Sequence, residues 1–553
     1  MKIGIIQPRI VVGAFSGNAL ALRDAYLRQV DLGADIVVVP EDAIAAYCEG
    51  DQRFYPSFIA KHDAALLSLI NAVGSVPLVV GITEKNPHDN GEDGKPFFNT
   101  ALFIQNRKIL YKQSKTNLAT DSVFNDYRWY EPNGGKIVTF MWNGKKCAML
   151  VCQDLWEAFD DAHGEHYFQR HPVTELKDEN IDLLFVTNAS PYYHGKGRRR
   201  LEMIRAAIDV LKCTVVYANF AGGHDELVFD GRSVVVDANG EVRGVAKSFA
   251  SDEIVVDLDG PVVDYPFDDG IGEMGEALIT SLRDYVAKSG IKGVVLGLSG
   301  GIDSAVCAAL AVRALGPDRV IGIRMPSQYS SEGSLVDAEA LAQNLGIRCD
   351  TVKIEPLYAF YANALDPLID FSTLAHPGDM TMENIQARIR GNILMAYSNK
   401  YGFMAIATGN KSEFSVGYST LYGDMCGGFA LIKDVYKMGV YRLAEWLNKD
   451  GPVIPESSIT KPPSAELRPG QKDTDSLPDY PVLDAILRMY IEGYNGCDEI
   501  VAAGYDRAVV EKVIRMTDAA EFKRRQAPPG PIVSKNGTAW LNRQYPMQTF
   551  YRP

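Results

Sequence analysis

The sequence predicts an α/β protein with two domains, and three observations support that prediction. The chain has 553 residues, which is too long for one hydrophobic core. Its first half mixes helix-like segments, strand-like segments and hairpins, which favours a sandwich of sheets covered by helices. In the second half, strands and helices alternate strictly, as in a doubly wound parallel sheet. We therefore expect domains at 1–258 and 273–553, joined by a linker at 259–272 where Pro, Gly and acidic residues interrupt the pattern.

Short apolar runs and turn residues mark the elements of the first half. Strands are expected at 1–8, 36–39, 78–82, 100–104, 109–111, 183–186 and 214–217. Asn143-Gly144 predicts a hairpin between strands at 138–142 and 147–151, and Asn239-Gly240 predicts a second hairpin. Helices are expected at about 16–33 and 196–211.

The second half is more regular. Strands are expected at 293–298, 320–325, 348–354 and 404–407, and helices up to 288 and at 303–315, 334–346 and 383–400. In such a sheet, ligands bind at the carboxyl ends of the strands. The stretch 455–481 is rich in Pro, Ser, Asp and Lys, which predicts a long mobile loop of the kind that often forms a lid.

Composition limits the classes of function. Apolar residues make up 46% and charged residues 23% of the chain, as in an ordinary globular protein. A net charge of −14 argues against a broad nucleic-acid interface. No apolar run approaches the roughly 18 residues of a membrane helix, and the N-terminus does not have the pattern of a signal peptide. Eight cysteines form no CxxC pair, so neither a disulfide framework nor a zinc site is indicated and a reducing cytoplasm is expected.

The most informative motif is the string Gly-Leu-Ser-Gly-Gly-Ile-Asp-Ser at 297–304, between a predicted strand and a predicted helix. Small residues bring backbone N–H groups close to an anion, and the helix N-terminus attracts negative charge. Asp303 in the first helical turn also suits a hard metal ion. The lysine of a Walker A loop is absent, which favours pyrophosphate as a leaving group. An ordinary βα turn is the simpler alternative, but it explains a lone glycine pair better than this whole string.

Three strand ends in the first half carry groups for nucleophilic catalysis. Cys152 ends a strand and faces a loop, from which a thiol can attack a carbonyl, although a lone cysteine is more often structural. Glu41 supplies a carboxylate that can take the thiol proton. Lys115 supplies an ammonium that can stabilise a thiolate and an oxyanion. The chemistry of such a set is amide hydrolysis through a thioester, but the sequence alone does not bring the three residues together.

Residues 1 to about 258 resemble the nitrilase (carbon–nitrogen hydrolase) superfamily, which implies an αββα sandwich. The resemblance rests on the stretches 39–41, 115 with 123–126, 151–156 and 188–192, and 222–233 is closer to the glutaminase domain of glutamine-dependent NAD synthetases. It implies that Glu41 is the general base, Lys115 the transition-state stabiliser and Cys152 the nucleophile. Ser190 and Lys196 match positions that hold glutamine.

Three positions depart from the pattern of that family. Asp121 stands where Tyr is usual, Gln153 follows the nucleophile where Glu is usual, and 44–48 replaces a Thr-Gly-Tyr-Pro run. A carboxylate at Asp121 can still bind the ammonium group of glutamine. Asp121 therefore joins Ser190 and Lys196 as an expected glutamine ligand.

The loop at 297–304 resembles the pyrophosphate loop of the N-type ATP pyrophosphatases, and residues 275–530 are similar to NAD synthetases. The matching stretches are 325–331, 383–391, 407–413, 422–424 and 523–529. The resemblance implies a Rossmann-like fold and ATP contacts from Gly297, Leu298, Ser299, Gly300, Gly301, Ile302, Asp303, Ser304, Thr408 and Lys437. It implies deamido-NAD contacts from Asn384, Glu413, Asp424 and Lys523, and Mg²⁺ ligands in Asp303 and Glu413.

The resemblance implies ATP-driven amidation of deamido-NAD to NAD with ammonia released from glutamine. It also implies a homo-oligomer, a dimer or larger, formed through the synthetase domain. Two alternatives stay open: a synthetase that runs mainly on free ammonia because its glutaminase is weak, and a nitrilase-type amidase whose second half senses a nucleotide. An asparagine synthetase is disfavoured because that enzyme needs a cysteine directly after Met1, where Lys2 stands.

Overall fold

The chain divides into two compact units, Met1–Asp269 and Gly270–Pro553. The computed structural model describes all residues except 48–49, 90–93, 121–122, 164–167, 268–269, 372, 375, 377–378, 537–543 and 549–553, and except the side chains of 161–162. None of the helices in the described ranges combines the length and the apolar character needed to cross a membrane.

The first unit contains fourteen described strands and five described α-helices. The strands are β1 (Lys2–Gln7), β2 (Ile36–Val38), β3 (Leu78–Lys85), β4 (Phe97–Gln105), β5 (Lys108–Ser114), β6 (Thr139–Trp142), β7 (Lys145–Val151), β8 (Leu183–Thr187), β9 (Thr214–Ala218), β10 (Ala221–His224), β11 (Leu227–Asp230), β12 (Val234–Val236), β13 (Val242–Val245) and β14 (Asp252–Asp257). The helices are α1 (Phe15–Asp31), α2 (Pro56–Ala72), α3 (Glu157–Ala162), α4 (Pro172–Glu175) and α5 (Lys196–Leu211).

Two six-stranded sheets pack against each other in this unit. Their strand orders are β14-β1-β2-β3-β4-β5 and β13-β12-β9-β8-β7-β6, and β10 and β11 form a separate hairpin. Side-chain alternation along each strand decides which layer a residue joins. Met149 and Phe185 pack between the sheets, whereas Leu150 and Val186 pack under the helical layer that contains α5. The predicted αββα sandwich is confirmed.

The two hairpins predicted from Asn-Gly pairs are also confirmed. β6 and β7 pair antiparallel around Asn143 and Gly144, whose φ angles are 47° and 72°. Both angles lie in the left-handed region that a tight turn of this type requires. β12 and β13 pair antiparallel around Asn239-Gly240 with a register shift at Val235/Val236.

The second unit is built on a five-stranded sheet. Its strands are β15 (Val294–Gly297), β16 (Val320–Arg324), β17 (Arg348–Thr351), β18 (Met404–Ala407) and β19 (Phe429–Ala430). Its helices are α6 (Ile271–Lys288), α7 (Ile302–Leu315), α8 (Glu332–Leu345), α9 (Glu355–Leu365), α10 (Thr381–Tyr401), α11 (Lys411–Val416), α12 (Lys437–Leu447), α13 (Glu456–Thr460), α14 (Tyr480–Leu487), α15 (Cys497–Ala502), α16 (Arg507–Ala519) and α17 (Glu521–Arg524).

All neighbouring strands of this sheet run parallel, in the order β17-β16-β15-β18-β19. Helices cover both faces, so the predicted doubly wound sheet is confirmed. α8 begins two residues before its predicted start, because the Ser331 hydroxyl caps it by accepting a hydrogen bond from Ser334 N. A cluster of α14, α15 and α16, which we did not predict, packs beside α11.

The segment that we predicted as a linker is partly ordered against the first unit. Val263 N donates to Val242 O at 2.9 Å. Tyr265 is 8% exposed and belongs to the hydrophobic cluster under α5. The boundary between the compact units falls at 269/270. The domain limits 1–258 and 273–553 stay a prediction.

Candidate active sites

Glu41, Lys115 and Cys152 meet at one edge of the sandwich. Glu41 lies shortly after β2, Lys115 directly follows β5, and Cys152 directly follows β7. The Lys115 Nζ atom donates to Glu41 Oε1 at 3.0 Å, and both side chains are buried. The Cys152 thiol interacts electrostatically with both charges. The structure therefore brings together the three residues that the sequence predicted as a triad.

Two further side chains fix the charged pair, and we did not predict a role for either. Asn99 Nδ2 donates to Glu41 Oε1 at 2.6 Å, and Lys115 Nζ donates to Asp126 Oδ2 at 2.7 Å. The other Glu41 oxygen accepts the backbone N–H of Ala189 at 2.7 Å. These bonds hold the carboxylate and the ammonium in one orientation, which is what a preorganised site requires.

The charges of the site follow from this packing. Burial alone would lower the pKa of Lys115, but the carboxylates of Asp126 and Glu41 outweigh it and raise that pKa well above its ordinary value. Burial raises the pKa of the Cys152 thiol, Glu41 adds to the increase, and Lys115 opposes it. At neutral pH the thiol therefore keeps its proton until a base removes it. Glu41 is the predicted base, and that role stays a prediction.

The backbone at Cys152 is in an unusual conformation. Its φ angle is +47°, in the left-handed region that costs free energy for a residue with a Cβ. A turn of 3₁₀ helix, Cys152–Leu155, follows immediately. This sharp change of direction places Cys152, the predicted nucleophile, at the end of β7. The arrangement is typical of strained residues that sit at catalytic sites.

Two of the three predicted glutamine ligands, Ser190 and Lys196, lie in the described part of the first unit. Asp121 lies outside the described residues. Ser190 is buried after β8, and its N–H donates to Asn219 Oδ1 at 2.9 Å. Lys196 begins α5, with its ammonium 4.5 Å from the ring centre of Trp156, four residues beyond the nucleophile. Their role in binding glutamine stays a prediction.

The loop at 297–304 joins β15 to α7 and is held by its own hydroxyl groups. Ser299 Oγ and Ser304 Oγ are 3.1 Å apart, and Ser304 Oγ donates to Gly301 O at 3.0 Å. Gly300 has φ +79°, and a Cβ atom there would lie 2.2 Å from Ser334 O. Only glycine meets both constraints without movement of the backbone. The loop therefore presents main-chain groups at the N-terminus of α7.

We expect Gly300→Ala to disrupt this loop. The left-handed backbone costs roughly 1–2 kcal/mol for a residue with a Cβ, and the contact with Ser334 forces a shift in addition. The NAD synthesis that the resemblance implies should fall with either nitrogen donor, while the glutamine hydrolysis predicted at Cys152 should persist. Steady-state assays of both reactions test this expectation. Gly290→Ala, also at a positive φ but with open space around its Cβ position, is the matched control.

Two carboxylates and a lysine lie at the start of α7. β15 and β18 are parallel neighbours, so the residues that follow them meet at one edge of the sheet. A capping box in which Asn410 and Glu413 bond each other's N–H fixes Glu413 in the first turn of α11. Lys437 Nζ contacts Asp303 Oδ2 at 2.5 Å and Glu413 Oε1 at 3.6 Å.

These carboxylates fit a magnesium ion. Burial raises the pKa of Glu413 above its ordinary value, the neighbouring Asp303 adds to the increase, and Lys437 opposes it. In the described part of the chain, no group of three or more His, Cys, Asp or Glu residues is arranged to hold a metal. Mg²⁺ in phosphate sites is commonly bound by one or two carboxylates together with substrate phosphates. Asp303 and Glu413 are two such carboxylates, and their role as magnesium ligands stays a prediction.

The residues predicted to contact deamido-NAD converge on the loop after α11. The Thr420 hydroxyl donates to Asn384 Oδ1 at 2.8 Å, and Thr420 N donates to Asp424 Oδ1 at 2.6 Å. Lys523 Nζ donates to the carbonyls of Gly417 and Ser419 at 2.8 and 2.7 Å. Asn384, Asp424 and Lys523 are thus fastened to the 417–424 segment, which follows Glu413.

Thr408, a predicted ATP contact, directly follows β18.

The segment 455–481 lies against the loop at 297–304. Ser458 Oγ donates to Gly300 O at 2.9 Å. Glu466 accepts the hydroxyl of Ser334 at 2.9 Å. The segment that we predicted as a mobile lid is therefore hydrogen-bonded to the loop and to α8 in this structure, and its motion stays a prediction.

Sequence comparison assigns each unit to a known family. The chain matches the carbon-nitrogen hydrolase family over residues 2–265 and the NAD synthase family over residues 274–527. Fold and site therefore define a two-domain protein in which a carbon–nitrogen hydrolase precedes an NAD synthase.

Proteins that are similar to this chain over almost its whole length identify a particular family within this class. A glutamine-dependent NAD(+) synthetase of Synechocystis is 39% identical, with 97% of each chain covered. Its counterpart in Acinetobacter baylyi is 38% identical, with 100% of this chain and 99% of that one covered. The structure of glutamine-dependent NAD+ synthetase from Acinetobacter baumannii in complex with ADP has a TM-score of 0.75 and 35% identity over 99% of this chain and 98% of its own. The chain belongs to the glutamine-dependent NAD(+) synthetase family.

Proposed function

We propose that the protein amidates deamido-NAD to NAD with ATP, using ammonia that it releases from glutamine. The observation that carries this proposal is the presence of two complete sets of groups in one chain. The first unit holds the buried Glu41–Lys115 pair beside Cys152. The second unit holds the loop at 297–304, which has no Walker A lysine. Two carboxylates, Asp303 and Glu413, lie at the start of α7 and contact the same lysine, Lys437.

Glutamine hydrolysis follows from the charges of the first site. Glu41 accepts the thiol proton of Cys152, and the thiolate attacks the side-chain amide carbon of glutamine. Lys115 stays charged and stabilises the oxyanion of the tetrahedral intermediate. The C–N bond then breaks, the proton on Glu41 passes to the leaving ammonia, and a thioester remains. Water then loses a proton to Glu41 and attacks the thioester; the C–S bond breaks, glutamate leaves, and the proton returns to the Cys152 sulfur.

The second site activates a carboxylate. The deamido-NAD carboxylate attacks the α-phosphate of ATP and pyrophosphate leaves, since a free carboxylate is a poor acceptor for ammonia until AMP becomes its leaving group. Ammonia then attacks the acyl carbon, loses a proton and displaces AMP. The loop at 297–304 binds the phosphates through main-chain N–H groups and the N-terminus of α7. Thr408 and Lys437 are the further ATP contacts that we propose.

Asp303 and Glu413 are the residues that would hold Mg²⁺, which neutralises the charge of the ATP phosphates when bound. We assign glutamine binding to Asp121, Ser190 and Lys196, and deamido-NAD binding to Asn384, Glu413, Asp424 and Lys523. We also propose a homo-oligomer formed through the synthetase unit and a cytoplasmic location.

Steady-state NAD formation from deamido-NAD and Mg-ATP, with glutamine or ammonium as donor, tests the proposal. We expect NAD, AMP and pyrophosphate in equal amounts with both donors, and at least one glutamate per NAD with glutamine. A synthetase with a weak glutaminase would give high activity with ammonium alone. An amidase that senses nucleotides would hydrolyse glutamine and form no NAD, which would refute the proposal.

A further inference from the structure

A buried carboxylate joins the two catalytic loops of the glutaminase site, although it touches neither reacting group. Asp154 is 0% exposed. Its Oδ1 accepts the backbone N–H of Thr116 at 2.9 Å and of Asn117 at 2.7 Å. Its Oδ2 accepts the N–H of Val151 at 3.3 Å and a second, longer contact from Thr116 N at 3.2 Å.

The N–H groups that Asp154 binds belong to residues close in sequence to Lys115 and Cys152. Thr116 directly follows Lys115, and Val151 directly precedes Cys152. The preceding strands, β5 and β7, belong to different sheets of the sandwich. One carboxylate therefore fastens the backbone beside the ammonium to the backbone beside the nucleophile, across the space between the two sheets.

We infer that Asp154 is a positioning residue of the amide hydrolysis, which sets the separation of Lys115 and Cys152 through main-chain hydrogen bonds. The inference rests on the proposed glutaminase activity of the same site. Both carboxylate oxygens are acceptors, so the side chain can bind N–H groups from both loops at once. An amide at this position replaces one acceptor with an NH₂ donor, which faces a backbone N–H donor.

The ionisation of Asp154 gives this role a pH dependence. Burial raises its pKa to about 7, against the opposing effects of the N–H bonds and of Lys115. Above that pH both oxygens accept; below it, one oxygen carries a proton and one loop loses its acceptor. Asp126, Lys115 and Glu41 are the other charged groups of the site, and Arg170 interacts electrostatically with Asp154 from the neighbouring segment.

Asp154→Asn is the test, with glutamine hydrolysis as the readout. Loss of charge-assisted hydrogen bonds of this kind predicts that kcat falls about 10- to 100-fold. KM for glutamine should change little, because the hydrogen bonds of Asp154 position the reacting groups and do not contact the substrate. Ammonium-supported NAD synthesis should stay at the wild-type level, and the kcat decline of the wild type below about pH 7 should be lost in the variant.

Glu157→Gln is the matched control. Glu157 is also buried close to the nucleophile, but it accepts the N–H of Val173 at 3.0 Å, on α4, and so does not join the catalytic loops. Equal losses of kcat in both variants, or a wild-type kcat in Asp154→Asn, would overturn the inference. If Asp154→Asn does not fold, Asp154→Glu decides, because it keeps both acceptor oxygens but moves them by one methylene: a lower kcat for glutamine hydrolysis supports the inference, and a wild-type kcat contradicts it. A wild type without any glutaminase activity would instead refute the proposed function.

Discussion

Replacing Cys152 with alanine is expected to abolish NAD synthesis from glutamine and to leave synthesis from ammonium intact. The thioester cannot form without the thiol, and loss of a nucleophile typically costs at least about 10³-fold in kcat. Cys152 lies in the first compact unit. The loop at 297–304 and the carboxylates of Asp303 and Glu413 lie in the second unit, which has its own hydrophobic core. The two reactions should therefore separate.

The measurement is the rate of NAD formation with each donor, together with glutamate release. Cys147→Ala is the matched control, because Cys147 is another buried cysteine that lies on β7, the strand before Cys152, and packs between the sheets. That variant should lose some stability through the smaller side chain but keep its use of glutamine. A folded Cys152→Ala protein that has also lost ammonium-supported synthesis would show that the division of labour between the units is wrong.

Secondary structure was predictable from the sequence where the local pattern of apolar and turn residues favours the same element that packing stabilises. Strands such as β8 consist of consecutive apolar residues bounded by polar ones, and the Asn143-Gly144 turn determines its hairpin almost alone. β10 was not predictable in this way, because its sequence Ala-Gly-Gly-His has neither alternation nor β-branched residues. Its extended form comes from antiparallel pairing with β11, which the residues of β10 by themselves do not indicate.

The same distinction applies to the sites. Glu41, Lys115 and Cys152 each lie at or shortly after the end of a strand. Their positions in the sequence alone did not bring the three together, and the triad was predicted from the resemblance to the nitrilase superfamily. Asn99 lies inside β4, where its neighbours determine a strand, and its contact with Glu41 spans 58 positions. Asp154 acts through main-chain groups on two loops, for which the sequence carries no periodic signal.

Asp303→Asn is expected to abolish NAD synthesis with either donor. The change keeps the size of the side chain and removes its charge, so Mg²⁺ loses one of its two carboxylates and Lys437 loses its nearest counter-charge. Loss of one electrostatic stabiliser of a reaction typically costs about 10²- to 10³-fold in kcat. Glutamine hydrolysis, measured as glutamate release without ATP, should remain because Asp303 lies in the other unit.

Asp518→Asn is the control for this variant. Asp518 is a buried carboxyl of the same unit that accepts the Tyr490 hydroxyl at 2.6 Å in the cluster of α14 and α16. It should keep synthesis with both donors, whatever stability it loses. If Asp303→Asn still makes NAD from ammonium at the wild-type rate, the carboxylate is not a magnesium ligand, and its contact with Lys437 serves only to anchor α7 to α12. If the variant regains activity as Mg²⁺ is raised, the fault lies in metal affinity, as the ligand assignment requires.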